Sequence, residues 1–487
     1  METSEKHPFD RTCKNSSENT ESTQSALLVI NTMTYFVGLV ETGRMLQKKS
    51  KYKPIFYFTQ PYPKYQEDLA ICEKERMRYI CGFQKIPLIL GGDSSRLTPK
   101  QDSFKKFCLY FYGIFFVGFL YEMFSYFKEF SKIRALIRKS KPTILIIAGD
   151  NIGYNTNILV KICHDNKIPS LIIPLWMAGP AEAAEAYFHN PLYDARRLSN
   201  RILGFFDPKW LYSHKGKKMI RWPAFKILAM KLFGLEPPLP WILNSSYADS
   251  ITAECEEMAA FMKREGIPLK QITVTGSLAN DIMAENIRDY DTRKKNLFER
   301  LNLEKDKPLL LCALPPNILY GYSRPECDFS TYGELVEFWI KSLANIKNYN
   351  VVISLHPAIK YEEIRSIEDF GVTIALEKII DLIPYCDLFV AAMSGTIHWA
   401  TACGKPVLNY DVYKFRYKDF LEYKGILYAD QKDHFTMLLQ KLTHNNDFYL
   451  KILHEQKSNS RQWGILDGKC GNRILQRIDT LVKQYSC

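Results

Sequence analysis

Two short apolar runs constrain this chain more than anything else in it. One is Val-Val-Ile-Ser-Leu at residues 351–355, which stops at His356 and Pro357. The other is Leu-Phe-Val-Ala-Ala at residues 388–392, which gives way to Met393 and then Ser394, Gly395 and Thr396. Runs this short, with little polar alternation, are the mark of strands buried on both faces of a parallel sheet. Open parallel sheets bind ligands at the carboxyl ends of their strands. A helix starting just after Ser394 and Gly395 would aim free backbone N–H groups at that edge. The two strand ends therefore read as a phosphate cradle, with His356 and Ser394 as donors and Pro357, Gly395 and Thr396 beside them.

The first half repeats the pattern. Residues 26–30 form an apolar run ending at Asn31, residues 36–47 have helical spacing, and residues 54–58 supply a second strand. This is the βαβ opening of a doubly wound domain. A further run ends at Gly149 and Asp150, with a helix expected near Thr156 and the next strand at residues 168–173. Asp150 thus sits where a catalytic group of this domain belongs, or else caps a helix. Residues 246–265 read as a helix and residues 271–277 as a strand ending at Gly276. Asn31, Gly149 and Gly276 are expected to line a cleft. In the second half, strands are expected at residues 308–314 and 374–376, and residues 407–410 are expected to close the sheet. Helices are expected at residues 332–346, 438–453 and 468–482.

A chain of 487 residues is too long for one ordinary core. The expected division is a flexible tail at 1–25, an α/β Rossmann-like domain at 26–290 and a second at 291–460. Residues 461–487 would form a helix packing back on the first domain. The formal charge of +12 suits phosphate-bearing substrates or an anionic membrane. No zinc spacing, recognition-helix signature or aromatic RNA-binding motif accompanies it, so nucleic acid is not an expected partner. Twelve cysteines without a Cys-x-x-Cys pair and no cleavable signal sequence read as reduced thiols of a cytoplasmic protein.

Residues 107–127 are unusually aromatic, and basic residues flank them. Glu122 and the tyrosines argue against a membrane span. Two readings stand: an interfacial helix that touches lipid, and an aromatic helix packed inside the first domain. Residues 220–233, with Arg221, Trp222, Lys226 and Lys231, read as a second membrane-facing surface. Peripheral contact with the inner face of a membrane is therefore an expectation.

These motifs, taken in order, resemble a known group. Two facing doubly wound domains look like the GT-B architecture of nucleotide-sugar glycosyltransferases. The nearest likeness is to the UDP-N-acetylglucosamine 2-epimerase superfamily. It rests on the strand ending in Gly149 and Asp150, the Ile-Thr-Val-Thr-Gly run at 272–276 with Asp281, and His356 with Pro357. Ser394 and Gly395 with Gly-Lys-Pro-Val at 404–407, and Asp-Gly-Lys at 467–469 with Arg473 and Ile474, complete it. The order of the motifs from about residue 141 to 482 makes the likeness specific. His-Pro with a later Ser loop also resembles bacterial sialyl-, Kdo- and polysialyltransferases, which use CMP-sugars.

The departures matter as much. The epimerases carry Asp-Ser-Gly-Gly followed by Glu-Glu, whereas here Met393, Ser394, Gly395 and Thr396 are followed by His398 and Trp399. Their early Arg-Pro-Glu and their His-x-Glu-Ala-Gly segment are absent. The resemblance therefore implies a glycosyltransferase using a UDP- or CMP-linked donor and a glycan or lipid-linked acceptor in surface-polysaccharide synthesis, with the nucleotide sugar on the second domain. Asp150 and His356 would be catalytic, and Glu377 would hold ribose hydroxyls. No cofactor or metal is expected. The alternatives are a sugar-nucleotide 2-epimerase, hydrolysing or not, and a non-catalytic subunit of a polysaccharide-export assembly.

Overall fold

The computed structural model describes residues 24–83, 113–150, 156–175, 179–319, 326–356, 359–416 and 423–486. The first half contributes strands β1 (Ser25–Ile30), β2 (Lys53–Phe58), β3 (Arg78–Cys81), β4 (Ile144–Ile147) and β5 (Ser170–Ile172). An antiparallel hairpin of β6 (Leu211–His214) and β7 (Lys217–Ile220) follows, then β8 (Ser250–Ala253) and β9 (Ile272–Val274). The hairpin apart, these strands form one parallel sheet in the order β3-β2-β1-β4-β5-β8-β9. The second half gives β10 (Leu309–Ala313), β11 (Asn350–Ser354), β12 (Thr373–Ala375), β13 (Leu388–Ala391), β14 (Val407–Tyr410) and β15 (Ile426–Ala429). They form a second parallel sheet in the order β12-β11-β10-β13-β14-β15. Both sheets are doubly wound, as the apolar runs predict.

The period of two along a strand explains why those runs are apolar throughout. In β1, Leu27 and Val29 enter one core while Ala26, Leu28 and Ile30 enter the core on the opposite face. In β10, Leu310 and Cys312 face one core and Leu309 and Leu311 the other. With helices on both faces, few positions in such a strand are left for a polar side chain.

Three local expectations need correction. Residues 246–265 are not one helix: β8 comes first, and the helix is confined to Glu256–Arg264. The sheet does not close at residues 407–410, because β15 pairs outside β14. Residues 438–453 span parts of two helices, Lys432–His444 and Asn446–Trp463, broken at Asn445, whose side chain accepts from the Phe448 amide.

The helix Cys470–Ser486 buries Ile474, Ile478 and Leu481 in the core that holds β1. Polar bonds fix its position. Tyr52 donates to Asp479 at 2.7 Å, Arg473 Nε to the Thr275 carbonyl at 2.7 Å, and Arg477 Nε to Ser250 Oγ at 2.9 Å. This helix of the second half thus packs on the first lobe.

Candidate functional site

All strands of each sheet run in one direction, so each sheet has one edge at which every carboxyl end emerges. Three contacts bring those two edges together. Trp399 Nε1, on the helix Thr396–Ala402 after β13, donates to Glu254 Oε1 at the end of β8 at 3.2 Å. Tyr423 donates to Glu257 at 2.9 Å, and Lys378, just beyond β12, lies 3.6 Å from Glu41 on the helix Met33–Lys49.

On the second lobe, the loop after β13 is held in an unusual conformation. Met393 has φ of 45°, a region that non-glycine residues enter only when their surroundings impose it. Asn409, fully buried in β14, imposes it here by accepting from the Met393 amide at 2.9 Å. The turn presents Ser394 Oγ, which lies 2.8 Å from Thr396 Oγ1 and accepts from the Thr396 amide at 3.3 Å. Gly395 between them is exposed. His356 follows β11, and the order β11-β10-β13 separates its strand from that of Ser394 by two inter-strand spacings, about 10 Å. Its imidazole reaches solvent, yet enough protein surrounds it for desolvation to hold its pKa below the ordinary value. A neutral imidazole at that place can donate from one ring nitrogen and accept at the other. Pro357 lies outside the described residues.

The other expected site residues fare differently. Asp150 is fully buried, and both of its oxygens are taken up by the backbone. Oδ1 accepts from the Ser245 amide, and Oδ2 from the amides of Tyr247 at 2.8 Å and Ala248 at 3.3 Å. Burial pushes its carboxyl above the usual range while these donors pull it back. This geometry anchors residues 245–248 and gives Asp150 no free oxygen for proton transfer with a ligand. Asp411, after β14, does the same for the amides of Phe415 and Arg416. Asn31 is buried and accepts from Thr59 Oγ1 at 2.7 Å, tying the ends of β1 and β2 together. Gly149 is a close-approach position, since a Cβ there would lie 3.1 Å from Asn244 Oδ1.

Gly276 is buried against the C-terminal helix. Its φ is 75°, and a Cβ would collide with Cys470 Sγ, so it is glycine to admit the C-terminal helix. Glu377 stands beyond the edge strand β12 and accepts from Arg300 Nε at 2.7 Å, three strands from the Ser394 loop. Among the described residues, one group of three metal-ligand types occurs: Asp281, Asp467 and Cys470. Protein donors occupy both carboxylates. Asp281 accepts from the amides of Cys470 and Gly471, and Asp467 pairs with Arg473 at 2.8 Å.

Sequence reasoning missed Glu254. It lies directly after β8, and its Oε1 accepts from Ser277 Oγ at 2.7 Å as well as from Trp399. The Asn280 amide, in the orientation that satisfies both of its ends, would donate to this oxygen as well. Oε2 has no partner among the described residues. Burial raises the carboxyl above its ordinary range, against the pull of the Ser277 and Trp399 donors. The signal was present as Ser-Ile-Thr-Ala stopping at a carboxylate, the same form as the other strand ends.

No family model matches the chain, and no curated protein matches it either. Solved structures do. The S. aureus MnaA co-structure with UDP is 13% identical with a TM-score of 0.51, covering 94% of this chain and 97% of that one. UDP-GlcNAc 2-epimerase from Neisseria meningitidis bound to UDP-GlcNAc is also 13% identical with a TM-score of 0.51, covering 94% of this chain and 100% of that one. The wall teichoic acid polymerase TagF is 11% identical with a TM-score of 0.49, covering 95% of this chain and 89% of that one. The likeness extends along almost the whole chain, and the architecture is GT-B, with the fold of the 2-epimerase structures.

Proposed function

We propose that this chain is a glycosyltransferase that moves a sugar from a UDP-linked donor to a glycan or lipid-linked acceptor in surface-polysaccharide synthesis. One observation carries the reading. The helix that starts at the Ser394–Thr396 turn of the second lobe carries Trp399, whose ring nitrogen donates to the Glu254 carboxylate of the first lobe. Hydroxyls of Ser394 and Thr396 and the imidazole of His356 hold the donor phosphates. The acceptor hydroxyl attacks the anomeric carbon, and the bond from that carbon to the phosphate oxygen breaks, its electron pair leaving with the nucleotide. The phosphate donors stabilise that charge. Oε2 of Glu254 receives the acceptor's proton, the role first expected of Asp150. Uridine is the favoured base because the two similar structures named above were solved with UDP and with UDP-GlcNAc.

A thermal-shift screen against UDP, CMP, CDP and GDP tests the donor site. At a hundred times its Kd, UDP should stabilise the fold by about 2.7 kcal/mol, and His356→Ala and Ser394→Ala should each lose most of that. Stabilisation by CMP alone would move the donor to a cytidine sugar. Incubation with UDP-GlcNAc and no acceptor then tests the reaction class. Formation of the manno isomer, or UDP release without acceptor, would replace transfer by epimerisation. If neither variant alters nucleotide binding or turnover, the site is misplaced.

A further inference from the structure

We propose that the outer face built by the helices Phe115–Ser140, Leu198–Phe206 and Ala224–Leu232 docks on an anionic lipid bilayer. In the first half of Phe115–Ser140, apolar side chains occupy the outer face as well as the inner one. Phe116, Leu120, Phe124 and Phe127, spaced by four, four and three residues, are 66%, 51%, 69% and 69% exposed. On Leu198–Phe206, Ile202, Phe205 and Phe206 are 52%, 81% and 80% exposed. The two helices form one surface. Arg197 donates to the Gly113 carbonyl at 3.1 Å, the Phe115 ring stands edge-on to Phe225 at 6.3 Å, and Ala224–Leu232 packs against both. Soluble proteins rarely leave large contiguous apolar patches in water.

Charge identifies the occupant. The acid that argued against lipid contact, Glu122, is buried and faces inward, 3.6 Å from Lys226. Along the outer face of Phe115–Ser140 the apolar residues give way at Lys128 to basic ones, including Arg134 and Arg138, all exposed. Arg197 and Arg201 are exposed beside the second stripe. Aromatic side chains bordered by exposed cations fit the acyl–headgroup boundary of a membrane with negative lipids. No helix among the described residues is long and apolar enough to cross a membrane, so the contact is interfacial. The second surface expected from sequence, residues 220–233, needs correction in part: Arg221 is buried, and the Lys226 amine lies over the Trp222 ring at 4.1 Å. This proposal stands apart from the sugar-nucleotide reading, since lipid binding is measured without substrate.

Co-sedimentation of the full chain with vesicles decides it. The protein should pellet with an equal mixture of phosphatidylcholine and phosphatidylglycerol, much less with phosphatidylcholine alone, and less as salt rises. Phe205→Ser with Phe206→Ser, and separately Phe116→Ser with Phe124→Ser, should each weaken vesicle binding about ten-fold or more, with unchanged melting because the positions are exposed. Arg138→Gln with Arg201→Gln, both exposed, should remove part of the preference for anionic lipid. The proposal is overturned if the protein stays in the supernatant with both vesicle types. It is equally overturned if the apolar variants bind as the parent does, or if sedimentation shows this face buried in a dimer that vesicles do not dissociate.

Discussion

Asp150 and Glu254 are both carboxylates at the carboxyl end of a strand in the same parallel sheet, on β4 and β8 with only β5 between them. They do opposite things. Asp150 is wholly enclosed, and its oxygens replace the hydrogen-bond partners that three backbone amides lost on burial. Glu254 has one oxygen fixed by Ser277 and Trp399 and the other without a partner among the described residues, at the line where the lobes meet. A carboxylate's place along a strand therefore does not assign its task. What its lone pairs face does.

The largest test of that contrast is Glu254→Gln. It preserves shape and should lower the transfer rate about 10²- to 10⁴-fold while leaving UDP binding and melting nearly unchanged. Because the carboxyl is raised and the base must be ionised, the parent's rate should climb with pH above the ordinary carboxylate range. If Asp150→Asn, rather than Glu254→Gln, silences a stable enzyme, the two roles must be exchanged.

Asp150→Ala should act on stability. Three buried amides lose their acceptor, and about 4 kcal/mol should disappear in denaturant titration, with unfolding of the loop 245–248 seen in hydrogen exchange. A loss below about 1 kcal/mol would mean that the anchor is replaceable.

The second lobe supplies a comparison in pH. His398 sits one turn beyond the Ser394 loop, 7% exposed, with its ring edge-on to Trp463 at 5.0 Å. Burial lowers its pKa from 6.5 to about 4. A depressed value means that the unfolded chain takes up the proton first. Stability is therefore complete above pH 6.5 and falls as pH drops toward 4, by up to about 3 kcal/mol for a gap of about 2.5 units. His398→Phe should flatten that slope in melts across the window.

The smallest effect is expected of Trp399→Phe. It removes one hydrogen bond between the lobes, worth about 1 kcal/mol, and one donor that favours ionised Glu254. The rising limb of the pH–rate profile should shift to higher pH. A profile that does not move would detach Trp399 from the chemistry.

Much of the architecture was legible because a strand covered on both faces is apolar at most of its positions. That requirement made β1, β4, β10, β11 and β13 visible as unbroken runs. Where the requirement is weaker, the reading failed. β8 is only Ser-Ile-Thr-Ala, set between polar residues that also suit a helix, so its strand end and Glu254 were lost together. The glycine at 276 looked like a ligand position because glycine marks close approach without saying what approaches. Here it is Cys470, almost two hundred residues later in the chain.

By itself the sequence determined two doubly wound sheets, the strand ends at His356 and Ser394, and a basic, aromatic stretch in the first half. These are properties of local pattern, set by burial period and by the backbone needs of tight turns. Only the tertiary structure decided which carboxylate is enclosed and which is open, that Glu122 turns inward, and that Phe205 and Phe206 stand in water beside a second helix. Those outcomes depend on which distant groups compete for the same lone pair or cover the same ring, and no local pattern encodes that competition.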